Sequence, residues 1–469
     1  MLPLCVDMDG SLIRNDMLHD SSLAILKHHP LKVPAIPFWL LRGKAYMKHR
    51  IADLVSMDAA LLPYNEELIE WLRSEKQKGR TLVLATASNH RYARAVADHL
   101  ALFDEVVGSD DHINLSSSNK ANELVRRYGE KGFDYVGNSH QDITVWKSAR
   151  NAIVVGSNAL AAKAAASGPV AHHFHNRGAG PKIWTKGLRL HQWLKNLLVF
   201  LPLIGAHRWT DIHALSVAML AFLSFGLSAS AVYILNDLLD LESDRQHPRK
   251  RRRPFAAGLI SVPAGILAAT ALFAGGLTIA GALGAEFLLW IVAYLLLTTT
   301  YSFKLKQYPL VDCLALAGLY TLRIAGGGAA VNLGLSFWLL AFSLFLFLSL
   351  AFIKRYSELL SALKMGKGLA HGRGYREEDL PLLQSIGLAS AFSSALVMAL
   401  YLNSAEVLTL YRHPQALWFT LPALLFWICW MWLKAVRDEM HDDPVVFAVR
   451  DRVSLVAGAL FIGALWAAA

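Results

Sequence analysis

The sequence predicts two domains of different class: an N-terminal α/β domain with a parallel sheet and a helical cap, then an all-α domain of nine membrane-spanning helices. Three observations carry this prediction. Apolar residues make up 54% of the 469-residue chain and charged residues 17%, and the mean hydropathy is +0.35, well towards the membrane class. The excess is uneven, because residues 1–180 read as ordinary soluble sequence and apolar stretches of membrane-spanning length recur only from Gln192. Within the first part, short β-prone runs alternate with helical patterns, as a doubly wound parallel sheet requires. The implied boundaries are 1–160 for the α/β domain, 161–182 for a linker and 183–469 for the membrane domain.

The first strand lies in "MLPLCVDMDG", which has no basic leader region and reaches acidic residues within a few positions. It does not read as a secretory signal, so the first domain is expected to stay in the cytoplasm. Further strands are expected in "TLVLATAS" from Thr81, "FDEVVGS" from Phe103, "FDYVGNS" from Phe133 and "AIVVGS" from Ala152. Between Asn15 and about Lys78 a helical insertion without strand signals is predicted to sit over the strand ends as a cap. The stretch "AAKAAASGPVAHHFHNRGAGPK" reads as a linker by composition. Cys5, Cys313 and Cys429 have no motif spacing and read as packing residues.

Nine apolar spans follow, centred near residues 199, 224, 270, 291, 320, 343, 392, 424 and 461. With the N-terminus inside, the inner loops hold Lys182, Lys186 and Arg189, then Arg245–Arg253, Lys304 and Lys306, Lys354–Arg376 and Lys434–Arg452. The outer loops hold little more than Arg208 and Arg412, as the positive-inside rule demands. This predicts a multi-pass protein of the inner (plasma) membrane with a cytoplasmic N-terminal domain. The net charge of +10 is then explained by topology, and nucleic acid is not an expected partner.

"DMDGSL", Asp7 to Leu12, puts two carboxylates two residues apart after the first strand, where open parallel sheets place active sites. Such a pair can hold Mg²⁺ through hard oxygens while one carboxylate attacks a phosphate and the other handles protons. With Thr86 after the second strand, Lys120 in "NKANEL" and "GNSHQD" at Gly137–Asp142, the domain resembles the haloacid dehalogenase (HAD) phosphatases, which have Rossmannoid sheets. The resemblance implies Asp7 as nucleophile, Asp9 as acid/base, Thr86 and Lys120 as phosphate ligands, and Asp142 in the metal site. Asn138 stands where that family usually has Asp, a neutral and weaker Mg²⁺ ligand.

In "NDLLDLESDR", helical periodicity carried over from the preceding span sets Asp237, Asp240 and Asp244 at i, i+3 and i+7 on one face. Three unpaired carboxylates repel, so the arrangement implies a bound cation, and all-oxygen ligands including Asn236 suit Mg²⁺. "RQHPRKRRRP" follows as a proline-bounded basic loop, a topology anchor attracted to anionic lipid and, beside Mg²⁺ carboxylates, a diphosphate site. "YSFKLKQYPLVD" supplies Tyr301, Lys304, Lys306 and Asp312 at the cytoplasmic end of the fifth span. Arg323 lies eleven residues after Asp312, on the same helical face, inside an apolar span, so it is read as functional or as paired with Asp312. Gly326–Gly328 read as a close helix approach or a bend.

These elements resemble the UbiA superfamily of intramembrane prenyltransferases. "QWLKNLLVFLPL", "NDLLDLESDRQHPRKRRRPFAAG", "YSFKLKQYPLVD", "LRIAGGGAA", "FIKRYSEL" and "VRDR" together resemble its decaprenyl-phosphate phosphoribosyltransferase branch. Asp312 stands alone where prenyl-diphosphate-using branches usually carry a second paired acidic motif, which favours the phosphoribosyl branch. The resemblance implies Mg²⁺-dependent transfer from 5-phosphoribosyl-1-diphosphate (PRPP) to a polyprenyl (decaprenyl-type) phosphate in the membrane. It implies Asp237, Asp240 and Asp244 with Asn236 at the metal, and Arg249, Arg252 and Arg253 at the ribose phosphate. Lys195, Lys306 and Arg323 would meet lipid phosphate or diphosphate, and the HAD domain would remove the product's 5-phosphate. Two alternatives stay open: an aromatic prenyltransferase of quinone or haem type, and a non-catalytic membrane scaffold. A homo-oligomer also stays open.

Overall fold

A computed structural model describes residues 1–175, 178–334, 336–364, 374–440 and 443–469. Its contacts divide the chain into two compact units, one of residues 1–188 and 233–269, the other of 189–232 and 270–469.

In the first unit, strands β1 (Leu4–Val6), β2 (Leu82–Asn89), β3 (Glu105–Ser109), β4 (Asp134–Gly137), β5 (Ala152–Gly156) and β6 (Val170–His175) form one sheet in the order β3-β2-β1-β4-β5-β6. Every pairing is parallel, and Cys5 of β1 lies between Val83 and Tyr135. Successive side chains point to opposite faces, so Leu4, Val6, Leu84 and Val136 enter one apolar core while Cys5, Val83, Tyr135 and Val154 enter the other. Burial on both faces explains why these strands read as nearly continuous apolar runs. The strand order reverses between β1 and β4, and the crevice at such a switch point is where open α/β sheets place ligands. Helices Met17–His28, Ile36–Leu41, Lys44–Leu54 and Glu66–Gln77 occupy the expected cap insertion.

The stretch read as a linker is ordered over most of its length. Helix Asn158–Ala165 crosses its expected start, and β6 pairs along β5. Three histidines in "VAHHFH" gave the strand a polar appearance, but it is an edge strand and only Phe174 is buried in the core.

Among the described residues seven helices are long and apolar enough to cross a membrane: Ile212–Leu239, Val262–Leu283, Ala285–Phe303, Val311–Ala330, Phe337–Lys364, Glu377–Leu402 and Pro414–Val436. This is a multi-pass membrane protein. The expectation of nine spans is met for these seven and is not confirmed at either end of the series. Near residue 199 the chain makes 3₁₀ turns over Leu190–Phe200 and then a short helix Leu201–Gly205. Pro202 stands in the first turn of that short helix, where its missing N–H costs nothing. Near residue 461 the helix Arg452–Ala468 has 17 residues, with Asp451 capping its start through Ser454 N. Part of the basic stretch Lys354–Arg376, at 365–373, lies outside the described residues.

Gly326–Gly328 serve close approach, since helix Val311–Ala330 runs unbroken through them. A Cβ on Gly327 would lie 2.1 Å from the Val199 carbonyl oxygen.

Candidate active sites

At the carboxyl ends of β1, β2 and β4 the expected phosphatase residues form two hydrogen-bonded groups. In the first, Lys120 Nζ donates to Asp7 Oδ1 at 2.6 Å and to the Tyr135 hydroxyl at 2.9 Å, and that hydroxyl donates to Asp142 Oδ1 at 3.0 Å. In the second, Asp9 accepts from Thr86 Oγ1 (3.2 Å), Ser88 Oγ (2.7 Å) and Met17 N (2.8 Å). Burial pushes the Asp7 carboxyl up to about 7 although Lys120 opposes it, and burial likewise raises Asp9. Lys48, from the cap helix Lys44–Leu54, donates to the Ala87 carbonyl at 2.6 Å and to Asn114 Oδ1 at 3.0 Å. Burial lowers its pKa against the pull of Asp9 and Asp16.

Asp142 Oδ2 accepts from Asn138 N, Ser139 N and Ser139 Oγ at 3.0, 2.9 and 2.8 Å, so both of its oxygens are engaged. The Asn138 amide lies against Gly10, whose Cβ would sit 2.0 Å from Nδ2. Among the described residues no three His, Cys, Asp or Glu side chains are grouped to hold a metal ion. Asp7, Asp9, Asn138 and Asp142 are hard-oxygen donors of the kind that hold Mg²⁺, and Lys120, paired with Asp7, supplies positive charge for a phosphate beside them.

The acidic segment departs from one continuous face. The long helix ends at Leu239, Asp240 turns the chain, and a second helix runs from Leu241 to Gln246. Asp237 and Asp244 are buried and converge on Arg253 Nη1 at 3.1 and 2.7 Å, with Lys250 Nζ 3.9 Å from Asp244. Asp240 instead faces Lys27 Nζ of the cap at 3.1 Å. Two carboxylates that meet on one cation are hard-oxygen donors suited to a divalent ion, so this pair, with Asn236 beside it in sequence, fits Mg²⁺. Arg249 and Arg252 are exposed on the loop, without an ion-pair partner among the described residues.

The second unit holds its own buried charges. Asp312 forms an ion pair with Arg355 and accepts from the Tyr375 hydroxyl at 2.5 Å, while Arg355 Nη2 donates to the Tyr301 hydroxyl at 2.8 Å. Arg323 shares a helix with Asp312 but does not pair with it. Its guanidinium donates to Asn196 Oδ1 at 2.8 Å and to the Tyr294 hydroxyl at 3.2 Å. Lys195 and Lys354 meet on Asp443 Oδ2 at 2.8 and 3.0 Å. Burial pushes the Asp443 carboxyl up, but the two ammonium groups outweigh it and hold it well below the usual carboxylate range. Lys306 is half-buried, with no ion-pair partner among the described residues.

Sequence reading missed Tyr135, Ser88 and Lys48 in the first unit and Asp443, Lys354, Arg355 and Tyr375 in the second. Ser88 was findable, because it lies two residues after Thr86 on β2 and so on the same face. Lys354 and Arg355 sit in a span-end "KRYSEL" with the charge an intramembrane site needs. Asp443 had no periodic signal at all.

Membrane-length helices that bury paired carboxylates and cations are those of a multi-pass membrane protein with polar sites inside it. Residues 197–450 match the UbiA prenyltransferase family, and the chain belongs to that family. Within it, a Sinorhizobium fredii relative, described as uncharacterized protein y4nM, is 38% identical over 467 residues, 99% of this chain and 90% of its own. A decaprenyl-phosphate phosphoribosyltransferase of Mycobacterium tuberculosis is 32% identical over 290 residues, 60% of this chain and 93% of that protein. A solved UbiA homolog from Archaeoglobus fulgidus, bound to GPP and Mg²⁺, aligns at 17% identity and a TM-score of 0.45, covering 60% of this chain and 99% of its own.

Proposed function

We propose that the membrane domain transfers the 5-phosphoribosyl group of PRPP to a polyprenyl phosphate of decaprenyl type, releasing pyrophosphate. The observation that carries this reading is the 32% identity to a phosphoribosyltransferase over 93% of that protein's length. A phosphate oxygen of the lipid attacks the ribose C1 as the bond from C1 to the diphosphate oxygen breaks. The nucleophile is already anionic, so the reaction needs no general base, and positioning and charge stabilisation supply the rate. Asp237 and Asp244, with Asn236, would hold Mg²⁺, which when bound neutralises the diphosphate. Arg249, Arg252 and Arg253 are assigned to the ribose 5-phosphate. Lys195, Lys306 and Arg323 are assigned to lipid phosphate or diphosphate, and Tyr301 and Asp312 orient Arg355. Both soluble substrate and N-terminal domain belong to the cytoplasmic face of the plasma membrane in this reading, which the distribution of basic loops supports.

The N-terminal domain is assigned the next step, removal of the 5-phosphate that the product still carries. Asp7 attacks phosphorus, Asp9 delivers a proton to the leaving ribose oxygen, Thr86 and Lys120 hold the phosphate oxygens, and water then releases phosphate from Asp7. Purified protein given PRPP, polyprenyl phosphate and Mg²⁺ tests both halves by mass spectrometry of the lipids. The expected product is polyprenylphosphoryl ribose, with its phosphorylated precursor accumulating in Asp7→Asn. A wild-type product that always keeps its second phosphate refutes the phosphatase half and leaves the transfer standing.

A further inference from the structure

The cap contains an apolar segment that its own fold does not cover. Residues Pro30–Leu41, "PLKVPAIPFWLL", carry one charge, Lys32. One side of the segment packs inward, with Val33, Ile36 and Trp39 against the cluster Ile25, Met47, Ile51 and Val55. The other side is bare: Leu31 is 93% exposed, Phe38 70% and Leu41 85%. A lone exposed Leu needs no explanation, but three large apolar side chains within eleven residues, on a segment already apolar on its inner side, form a patch of the kind that marks an interaction surface.

Two observations identify what covers it. The cap helix Met17–His28, which leads directly into the segment, is tied to the residues that follow a membrane-length helix. Asp20 meets Arg245 at 2.8 Å, Lys27 meets Asp240 at 3.1 Å and His28 meets Glu242 at 3.4 Å, and the helix Ile212–Leu239 ends one residue before Asp240. The segment thus begins beside the end of a membrane span. Its flanks are also basic: His29 and Lys32 at one end, Arg42 and Lys44 at the other, all exposed and suited to anionic headgroups. The partner of this face is therefore a lipid surface.

We propose that Pro30–Leu41 is an interfacial membrane element whose Leu31, Phe38 and Leu41 insert into an anionic bilayer. Twelve residues interrupted by Pro34 and Pro37 are too short to span and are suited to lying in the interface. The next cap helix carries Lys48 to the Ala87 carbonyl, next to Thr86 on β2, so one short path joins the lipid contact to that strand end. On the phosphatase reading above, this defines the substrate of that site as a phosphomonoester on a lipid headgroup; the insertion itself does not depend on that reading.

The test uses the full chain in bilayers containing anionic lipid. Cys5 and Cys313 are buried and only Cys429 is exposed, so Cys429→Ser gives a background for single spin labels at Phe38→Cys and Leu31→Cys. Leu289→Cys, 67% exposed on a spanning helix, and Glu70→Cys, on the exposed face of a cap helix, are the lipid and water references. At both test positions dissolved oxygen is expected to relax the label more than a water-soluble nickel chelate does, as at Leu289. Dominance of nickel, as at Glu70, overturns the proposal. Shielding from both reagents overturns it too, and assigns the face to a protein partner.

Discussion

The buried carboxylates of Asp237 and Asp244 meet on Arg253. Removing one partner of such a group leaves uncompensated buried charge, so Arg253→Ala is expected to unfold at a lower temperature without metal. Added Mg²⁺ should then raise the unfolding temperature more in Arg253→Ala than in the wild type, because an ion that binds only the native state stabilises it. Equal shifts in thermal scans would contradict a cation site there. Asp443 makes the converse case, a carboxylate holding two lysines. Its folded pKa lies below the unfolded value near 4, so its contribution to stability is complete above about pH 4 and is lost as pH falls through the folded value. Asp443→Asn should cost about 3 kcal/mol at pH 7. The gap from wild type should stay constant from pH 5 to 8 and close only in stronger acid, and pyrophosphate should rescue the variant more than the wild type. At this scale the sequence revealed groups that break a local rule, such as Arg323 alone in an apolar span. It hid Asp443, an ordinary acidic residue in a polar run whose role depends on lysines distant in the chain.

Elements were legible where one periodicity ruled. Strands β1 to β5 announced themselves because both faces are buried, whereas β6 has one inward phenylalanine among exposed histidines and reads as linker. The stretch near residue 199 has the apolar content of a span but makes 3₁₀ turns and then a short helix. The same stretch passes so close to Gly327 that Gly327→Ala must move backbone, not a side chain. That variant is expected to lose most of its thermal stability. Gly318→Ala on the same helix, with a Cβ 3.4 Å from the flexible end of Leu297, should be tolerated or gain up to about 1 kcal/mol. Equal behaviour of the two in detergent melting curves would refute the close approach. The acidic helix was foreseen in composition and not in its break at Asp240, because i, i+3, i+7 spacing cannot show that a cap lysine waits for the middle carboxylate.

For the whole molecule, composition alone separated a polar N-terminal part from an apolar C-terminal part, and the motifs of the second resembled the UbiA family to which the chain belongs. It could not show that residues 233–269 pack with the N-terminal domain, an association made by long-range pairs such as Asp20 with Arg245. The Sinorhizobium fredii relative aligns with 99% of this chain, and so with the sequence of both parts. On the proposed function, the acidic segment binds the diphosphate of a phosphorylated sugar. The direct measurement incubates the purified protein with polyprenyl phosphate, an aromatic acceptor and Mg²⁺, and supplies either PRPP labelled in its ribose or labelled prenyl diphosphate. Label from PRPP is expected in the lipid fraction, lost in Asp237→Asn, with none transferred from prenyl diphosphate. Label passing from prenyl diphosphate to the aromatic acceptor, with the ribose label left in water, would contradict it.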